Sequence, residues 1–205
     1  NEMSSNHLKR LAMPRSWPLP RKTTVWVTRP TPGAHALELC MPLTLVIRDV
    51  LGMAKTAREV RFILHNELAM IDGRVVKDTR RGVGLMDVLT LGEDNYRCVL
   101  DHNGRLQYRP ISADEASWKV CRIEGKTTIK GGRTQLNLHD GRNIIVDDPA
   151  EYSTGDSLKL NLPDQKILEH IRFGEGTRAY LIGGAHVGST ADVKEYIVKR
   201  SSMPN

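Results

Sequence analysis

The sequence predicts an α+β chain built from several small modules, and three observations carry that prediction. Helical periodicity over residues 43–68 gives way to strand-like alternation between 94 and 172. Five prolines crowd the first 36 residues and exclude a long helix there. Hydrophobic residues make up 40% of the chain but aromatics only 5%, so the cores must be built from Val, Leu and Ile, which suits short strands and small barrels. A chain of 205 residues has room for one large domain or two to three small ones, and this composition favours several modules.

Residues 1–36 are expected to form a basic, proline-rich arm. Pro14, Pro18, Pro20, Pro30 and Pro32 punctuate it together with Gly33. Leu8, Leu11, Trp17, Leu19, Val25, Trp26 and Val27 are nevertheless too apolar for a purely flexible tail, so the arm docks on something. Trp17 and Trp26 either stack on bases or pack against the arm's own domain. Lys9, Arg10, Arg15, Arg21, Lys22 and Arg29 stand against the single acid Glu2, which puts nearly all of the net charge of +6 in the first 30 residues. A basic arm on near-neutral domains attracts an anionic polymer, because each neutralised phosphate releases a counterion. The plainer alternative is a solvated tail.

Residues 37–93 read as helix, capped helix, then hairpin. Leu43, Val46, Ile47, Val50 and Leu51 fall at helical spacing, and Thr56-Ala57-Arg58-Glu59 is a capping box that opens a second helix. Val60, Ile63, Leu64 and Leu68 are its expected buried stripe, with Arg58 and Arg61 on the other face. Asp72-Gly73 between apolar residues is a hairpin signal. Arg48, Lys55, the amides at Thr56, Arg58 and Arg61, with Arg74 and Lys77 from the hairpin, make a patch that can meet RNA phosphates. Such contacts position a protein without reading sequence, because the deep groove of A-form RNA is closed to side chains. A solvated helix face is the competing reading.

Residues 94–172 are expected to be a β-rich domain, with turns at Asn103-Gly104, Asp140-Gly141 and Pro163-Asp164. Strand alternation is visible at 134–138, 143–146 and 158–162, and one short helix opens at the Ser112-x-x-Glu115 capping box. Residues 173–205 hold two strand candidates, Thr177 to Ile182 and Val193 to Lys199, around a glycine-rich loop.

The sequence carries none of the common catalytic motifs. There is no Walker A lysine loop, HExxH, GxSxG or dinucleotide fingerprint. Arg81-Gly82-Val83-Gly84 and Gly131-Gly132 read as turns, and Asp147-Asp148 as a loop before Pro149. Apart from isolated coincidences, none of the seven scattered histidines pairs at i+3 or i+4 with another ligand type on an obvious helix face, so no metal and no cofactor is expected. Cys40, Cys98 and Cys121, too widely spaced for a zinc knuckle, are expected to be buried thiols of a cytoplasmic protein. No stretch of 18 or more continuous apolar residues is present, so no membrane partner is expected.

The order of segments resembles the ribosomal small-subunit protein S-four family of the archaeal and eukaryotic lineage, over nearly the whole chain. His7-Leu8-Lys9-Arg10-Leu11 with Pro14 and Trp17 looks like that family's opening segment, and Arg29-Pro30 with Pro32-Gly33-x-His35 like its entry into the first domain. Met41-Pro42-Leu43, Thr56-x-x-Glu59-Val60, Ile71-Asp72-Gly73-Arg74-Val75 and Gly84-Leu85-Met86-Asp87-Val88 follow in the family's order. The resemblance implies an S-four-type RNA-binding domain over 37–93, a central β-rich domain over 94–172, and a terminal SH3-like barrel with a KOW-type loop over 173–205. That barrel is expected to be incomplete, since it ordinarily needs about five strands. The implied loop, Leu181 to Ser189, adds Gly184, His186 and Gly188 to the expected RNA contacts, although His186, Ser189 and Ala191 depart from the family pattern. The implied function is a structural constituent of the small ribosomal subunit that binds its rRNA and neighbouring ribosomal proteins, takes no small-molecule substrate and catalyses no reaction. A free-standing RNA-binding factor and an RNA-modifying enzyme are the alternatives.

Overall fold

The computed structural model describes residues 6–195, and they form sixteen strands in five sheets. The arm contributes β1 (Leu8–Lys9) and β2 (Trp26–Val27), which pair antiparallel. Next come β3 (Cys40–Pro42), α1 (Leu43–Leu45, running on as a π-helical turn over Val46–Val50), α2 (Ala57–His65), β4 (Ala69–Ile71) and β5 (Arg74–Val75). They are followed by β6 (Gly82–Gly84), β7 (Val88–Leu91), β8 (Asp94–Leu100), β9 (Leu106–Ile111) and the short α3 (Ala113–Ala116). The rest is β10 (Trp118–Thr128), β11 (Thr134–Leu138), β12 (Asn143–Val146), β13 (Ser157–Asn161), β14 (Ile167–Ile171), β15 (Arg178–Tyr180) and β16 (Thr190–Asp192).

Two cores organise these elements. The first gathers Trp17 from the arm, Met41 to Ile47, Val60 and Leu64 from α2, and Leu89, Cys98, Leu106 and Tyr108 from the sheet β5-β4-β7-β8-β9. The second lies on the sheet β12-β11-β10-β13-β14, where Cys121, Ile123, Leu136, Leu138, Leu158 and Leu160 are buried. In β11 and β13 the buried residues alternate with less buried ones, as the period of two requires.

The Asp72-Gly73 turn closes β4 onto β5 with φ of 51° and 75°, the doubly positive pair of a type I′ hairpin. The Thr56 hydroxyl accepts from the Glu59 amide at 3.2 Å, and the Glu59 carboxylate accepts from the amide of Lys55 at 2.7 Å. Thr56→Ala is expected to cost about 1 kcal/mol of stability; an unshifted thermal melt would show that the cap contributes nothing.

Four expectations need correction. Leu68 is 48% exposed rather than part of the α2 stripe, because the helix ends at His65 and Glu67 turns the chain with φ of 59°. Residues 82–84 are a strand, not a turn: β6 pairs with β3, and the His35 ring lies so close over Gly84 that an added Cβ would clash with it. The division at residue 93 falls inside a hairpin, since Val88–Leu91 pairs with Asp94–Arg97 and the side chains of β8 and β9 complete the first core. The second late strand candidate, Val193 to Lys199, is not a strand over its described residues 193–195, which follow β16 (Thr190–Asp192), and its residues 196–199 fall outside the described residues.

Candidate nucleic-acid interface

Packing resolves the two tryptophans of the arm differently. Trp17 is only 2% exposed and its indole N–H donates to the Cys40 carbonyl at 2.8 Å, so it anchors the arm to the first core. Trp26 is exposed and lies tilted against the His7 ring, with 5.4 Å between ring centroids and 49° between the planes. Arginine holds the rest of the arm in shape. Arg10 donates to the Pro20 carbonyl at 2.6 Å and to the Thr24 hydroxyl, and Arg21 donates to the carbonyls of Leu11 and Met13 at 3.1 and 2.7 Å. Lys9, Arg15 and Lys22 are exposed. The arm's basic residues thus divide into internal donors and a solvent-facing set.

On α2 the structure brings Arg58, Arg61 and Lys77 together along one open cleft, with Phe62 and His65 between them. These side chains face away from Val60 and Leu64, which point into the core. Lys77 holds Glu67 at 2.7 Å, but both groups are more than half exposed, so the pair contributes little. Lys55 is exposed at the helix entrance. Arg48 is engaged by Asp49 through two hydrogen bonds of 3.0 and 2.8 Å, which leaves its charge largely neutralised by its neighbour. Arg74 lines a separate cleft, beside Asp72, Lys119 and Arg142.

The loop between β15 and β16 sits on the tip of the β8–β9 hairpin. The Tyr180 hydroxyl donates to the Leu100 carbonyl and accepts from the Leu100 amide, each at 2.9 Å. Gly188, with φ of 79°, lies against the Leu100 and Asp101 carbonyls so closely that any Cβ would clash with backbone. Close packing therefore accounts for this glycine, whereas Gly184 and His186 are exposed at the loop's outer side.

Sequence reasoning missed the most unusual feature, a buried charge cluster joining the two cores. Lys119 on β10 is 0% exposed, and its ammonium donates to Asp72 at 3.0 Å and to Asp87, with Asp140 at 2.8 Å. Arg142 adds contacts to Asp72 at 2.6 Å and to Asp140 at 3.0 Å, and the His35 Nε2 lies 2.9 Å from both Asp87 oxygens. Burial alone pulls the Lys119 ammonium down, but the carboxylates of Asp87, Asp72 and Asp140 outweigh it and hold the pKa above its ordinary value. Burial likewise pushes the Asp87 carboxyl up, and Lys119 with His35 brings it well below the usual carboxylate range. The convergence of Asp72, Asp87 and Asp140 is the geometry of a cation site, and here a lysine ammonium supplies the cation. Asp72-Gly73 and Asp140-Gly141 looked like turns and are turns; nothing in a turn dipeptide announces that its aspartate points inward.

Cys40, Cys98 and Cys121 are buried, and burial pushes the Cys40 thiol up to about 11, which makes it an unreactive packing group.

Two families match this sequence: the RS4NT (NUC023) domain over residues 4–38 and ribosomal family S4e over residues 92–167. Among similar proteins is the small ribosomal subunit protein eS4 of Methanothermobacter thermautotrophicus, 45% identical over 98% of this chain and 84% of that protein. The eS4 protein of Methanocaldococcus jannaschii is 45% identical over 97% of this chain and 84% of its own length. The crystal structure of the 30S ribosomal protein S4e from Thermoplasma acidophilum superposes with a TM-score of 0.72 at 35% identity, covering 80% of this chain and 85% of that one.

Proposed function

The chain belongs to ribosomal family S4e, and from that premise we propose that small-subunit rRNA is the polyanion its basic surfaces meet. It is a structural, non-enzymatic constituent of the small ribosomal subunit, and its place is on the ribosome. The observation that carries the binding mode is the cleft in which Arg58, Arg61 and Lys77 share one exposed face opposite the buried stripe of α2. Cations on a rigid helix and its following hairpin suit phosphates at fixed spacing, and they orient the protein without reading bases. Lys55 and the amides at Thr56 add to this surface at the helix entrance, Arg48 and Arg74 are further contacts of the same domain, and Lys9, Arg15 and Lys22 are the exposed cations that the arm offers to phosphate. Gly184 and His186 offer a third contact at the outer loop; Gly188 supports it through packing.

This reading treats residues 37–93, extended by the paired β8 and β9, as the S-four-type RNA-binding unit. Residues 118–171 are the central β unit, and the β15–β16 hairpin with its loop is the KOW-type segment of an SH3-like barrel. The Pro-rich arm suits a place between rRNA helices, where many phosphate contacts offset its ordering. Neighbouring ribosomal proteins are its further partners. A free-standing RNA-binding factor would carry the same patch, so the test must be made on the particle.

Native lysate fractionated on a sucrose gradient should show the chain comigrating with the small subunit and leaving it only at high salt. A signal confined to the light fractions would sink the reading. On isolated rRNA, Lys9, Arg15 and Lys22 replaced together by alanine should flatten the salt dependence by roughly two to three units of slope, at about 0.7 to 0.9 per phosphate lost. Arg10 and Arg21 are left intact because their removal would collapse the arm and blur the result. An unchanged slope would mean that these three residues do not touch phosphate.

A further inference from the structure

Phe62 is one of only two phenylalanines in the chain, and it is 69% exposed. Its exposure follows from helix geometry: two residues beyond Val60 and two before Leu64, both buried, it points to the opposite face. Folding gains nothing from an aromatic ring there, and the core side of α2 is already filled by Val60 and Leu64. What surrounds the ring is cationic. Arg58 stands four residues before it and His65 three after, on the same helical face, while Arg61 and Lys77 complete the cleft. An apolar protein surface seated on this ring would have to strip water from those charges, whereas a nucleic acid brings phosphates that compensate them. A regular duplex uses only half of that chemistry, because its bases are stacked inside and offer no free π-face.

We propose that Phe62 is a stacking platform for an unpaired rRNA base, with Arg58 and Arg61 holding the phosphates on either side of that nucleotide and Lys77 closing the cleft. The proposal rests on the phosphate-binding reading above and sharpens it: α2 meets RNA at a bulge, loop or single-stranded junction, not along a helical flank. The Lys77–Glu67 pair, exposed and weak, exchanges for a Lys77–phosphate contact at no great cost.

The test uses the full chain and two RNA probes of equal length, a single strand carrying 2-aminopurine and a fully paired duplex. Phe62→Leu should weaken the single strand about five- to a hundredfold and abolish the fluorescence change on binding, while the duplex stays within about twofold. Phe62→Trp should restore the single-strand affinity. Arg58→Ala with Arg61→Ala should weaken both probes, and if it weakens neither, the phosphate reading fails while the Phe62 result stands on its own. Thermal melts keep the comparison to folded protein. Equal losses on both probes with Phe62→Leu overturn the stacking role. So does unchanged binding to both, and if that variant then enters reconstituted small subunits poorly, the face meets a protein instead.

Discussion

Replacing Lys119 with methionine is expected to destabilise the protein by about 3 to 5 kcal/mol, a fall in melting temperature of roughly 6 to 20 °C for a chain of this size. Methionine has nearly the right length and keeps the packing, so the loss isolates the charge. Without the ammonium, Asp72, Asp87 and Asp140 face one another with the Arg142 guanidinium, the His35 ring and the backbone amides of Gly84, Val88 and Arg142 left to answer them. The sign of the pH dependence separates this account from simple loss of contacts. In the wild type, Asp87 and Asp140 titrate below the usual carboxylate range, so the stability they contribute is present above about pH 4 and is lost as the pH falls through their lowered values. In Lys119→Met, burial acts on these carboxylates without Lys119 to oppose it, and their folded-state values rise above the unfolded ones. Stability should then be gained as the pH falls through the raised values, narrowing the gap between variant and wild type. Chemical denaturation of both proteins across pH 4 to 7 reads this directly; a gap that stays constant with pH would mean that packing, not charge, accounts for the loss.

That cluster also marks where sequence reasoning ran out. The Thr56 cap, the Asp72-Gly73 hairpin, the Ser112 capping box and the alternation in β11 and β13 are local signals, written within a few residues of where they act, and they were legible. The partners of Lys119 come from positions 72, 87 and 140, and no local pattern links them. The continuity of the first core across residue 93 was hidden for the same reason: the change from helical period to strand alternation falls there, yet Gly92-Glu93 is a hairpin turn within one sheet. On the binding surface, spacing sufficed to put Arg58 and Arg61 on the face away from the core. The hairpin that follows α2 put Lys77 in the same patch, where it lies beside them, but nothing in the sequence shows that the guanidiniums of Arg10 and Arg21 are committed to carbonyls of their own arm. Charge is visible in a sequence, whereas the hydrogen bonds that claim it depend on tertiary contacts.

Trp17→Ala is the second large effect expected, about 3 to 5 kcal/mol, and it bears on function as well as stability. The indole fills the first core and satisfies the Cys40 carbonyl, so its removal leaves a cavity and an unpaired acceptor at the junction between arm and domain. The other groups that hold this end of the arm are Met13, buried in the same core, Leu19 packed against it, and Ser16, which donates its hydroxyl to the Glu38 carbonyl and accepts at its own carbonyl from the Leu106 amide. Losing the tryptophan should therefore free the arm before it unfolds the domain. Limited proteolysis should cut the variant near Arg15 or Arg21 under conditions that spare the wild type, with the second core remaining protected. For rRNA binding, the lysines and arginines of a freed arm are still present, so the salt slope should survive while affinity drops, because the arm must now be ordered on binding. Affinity lost together with slope would indicate that the docked geometry itself creates the phosphate contacts. Affinity unchanged would show that the rRNA, and not Trp17, is what sets the path of the arm.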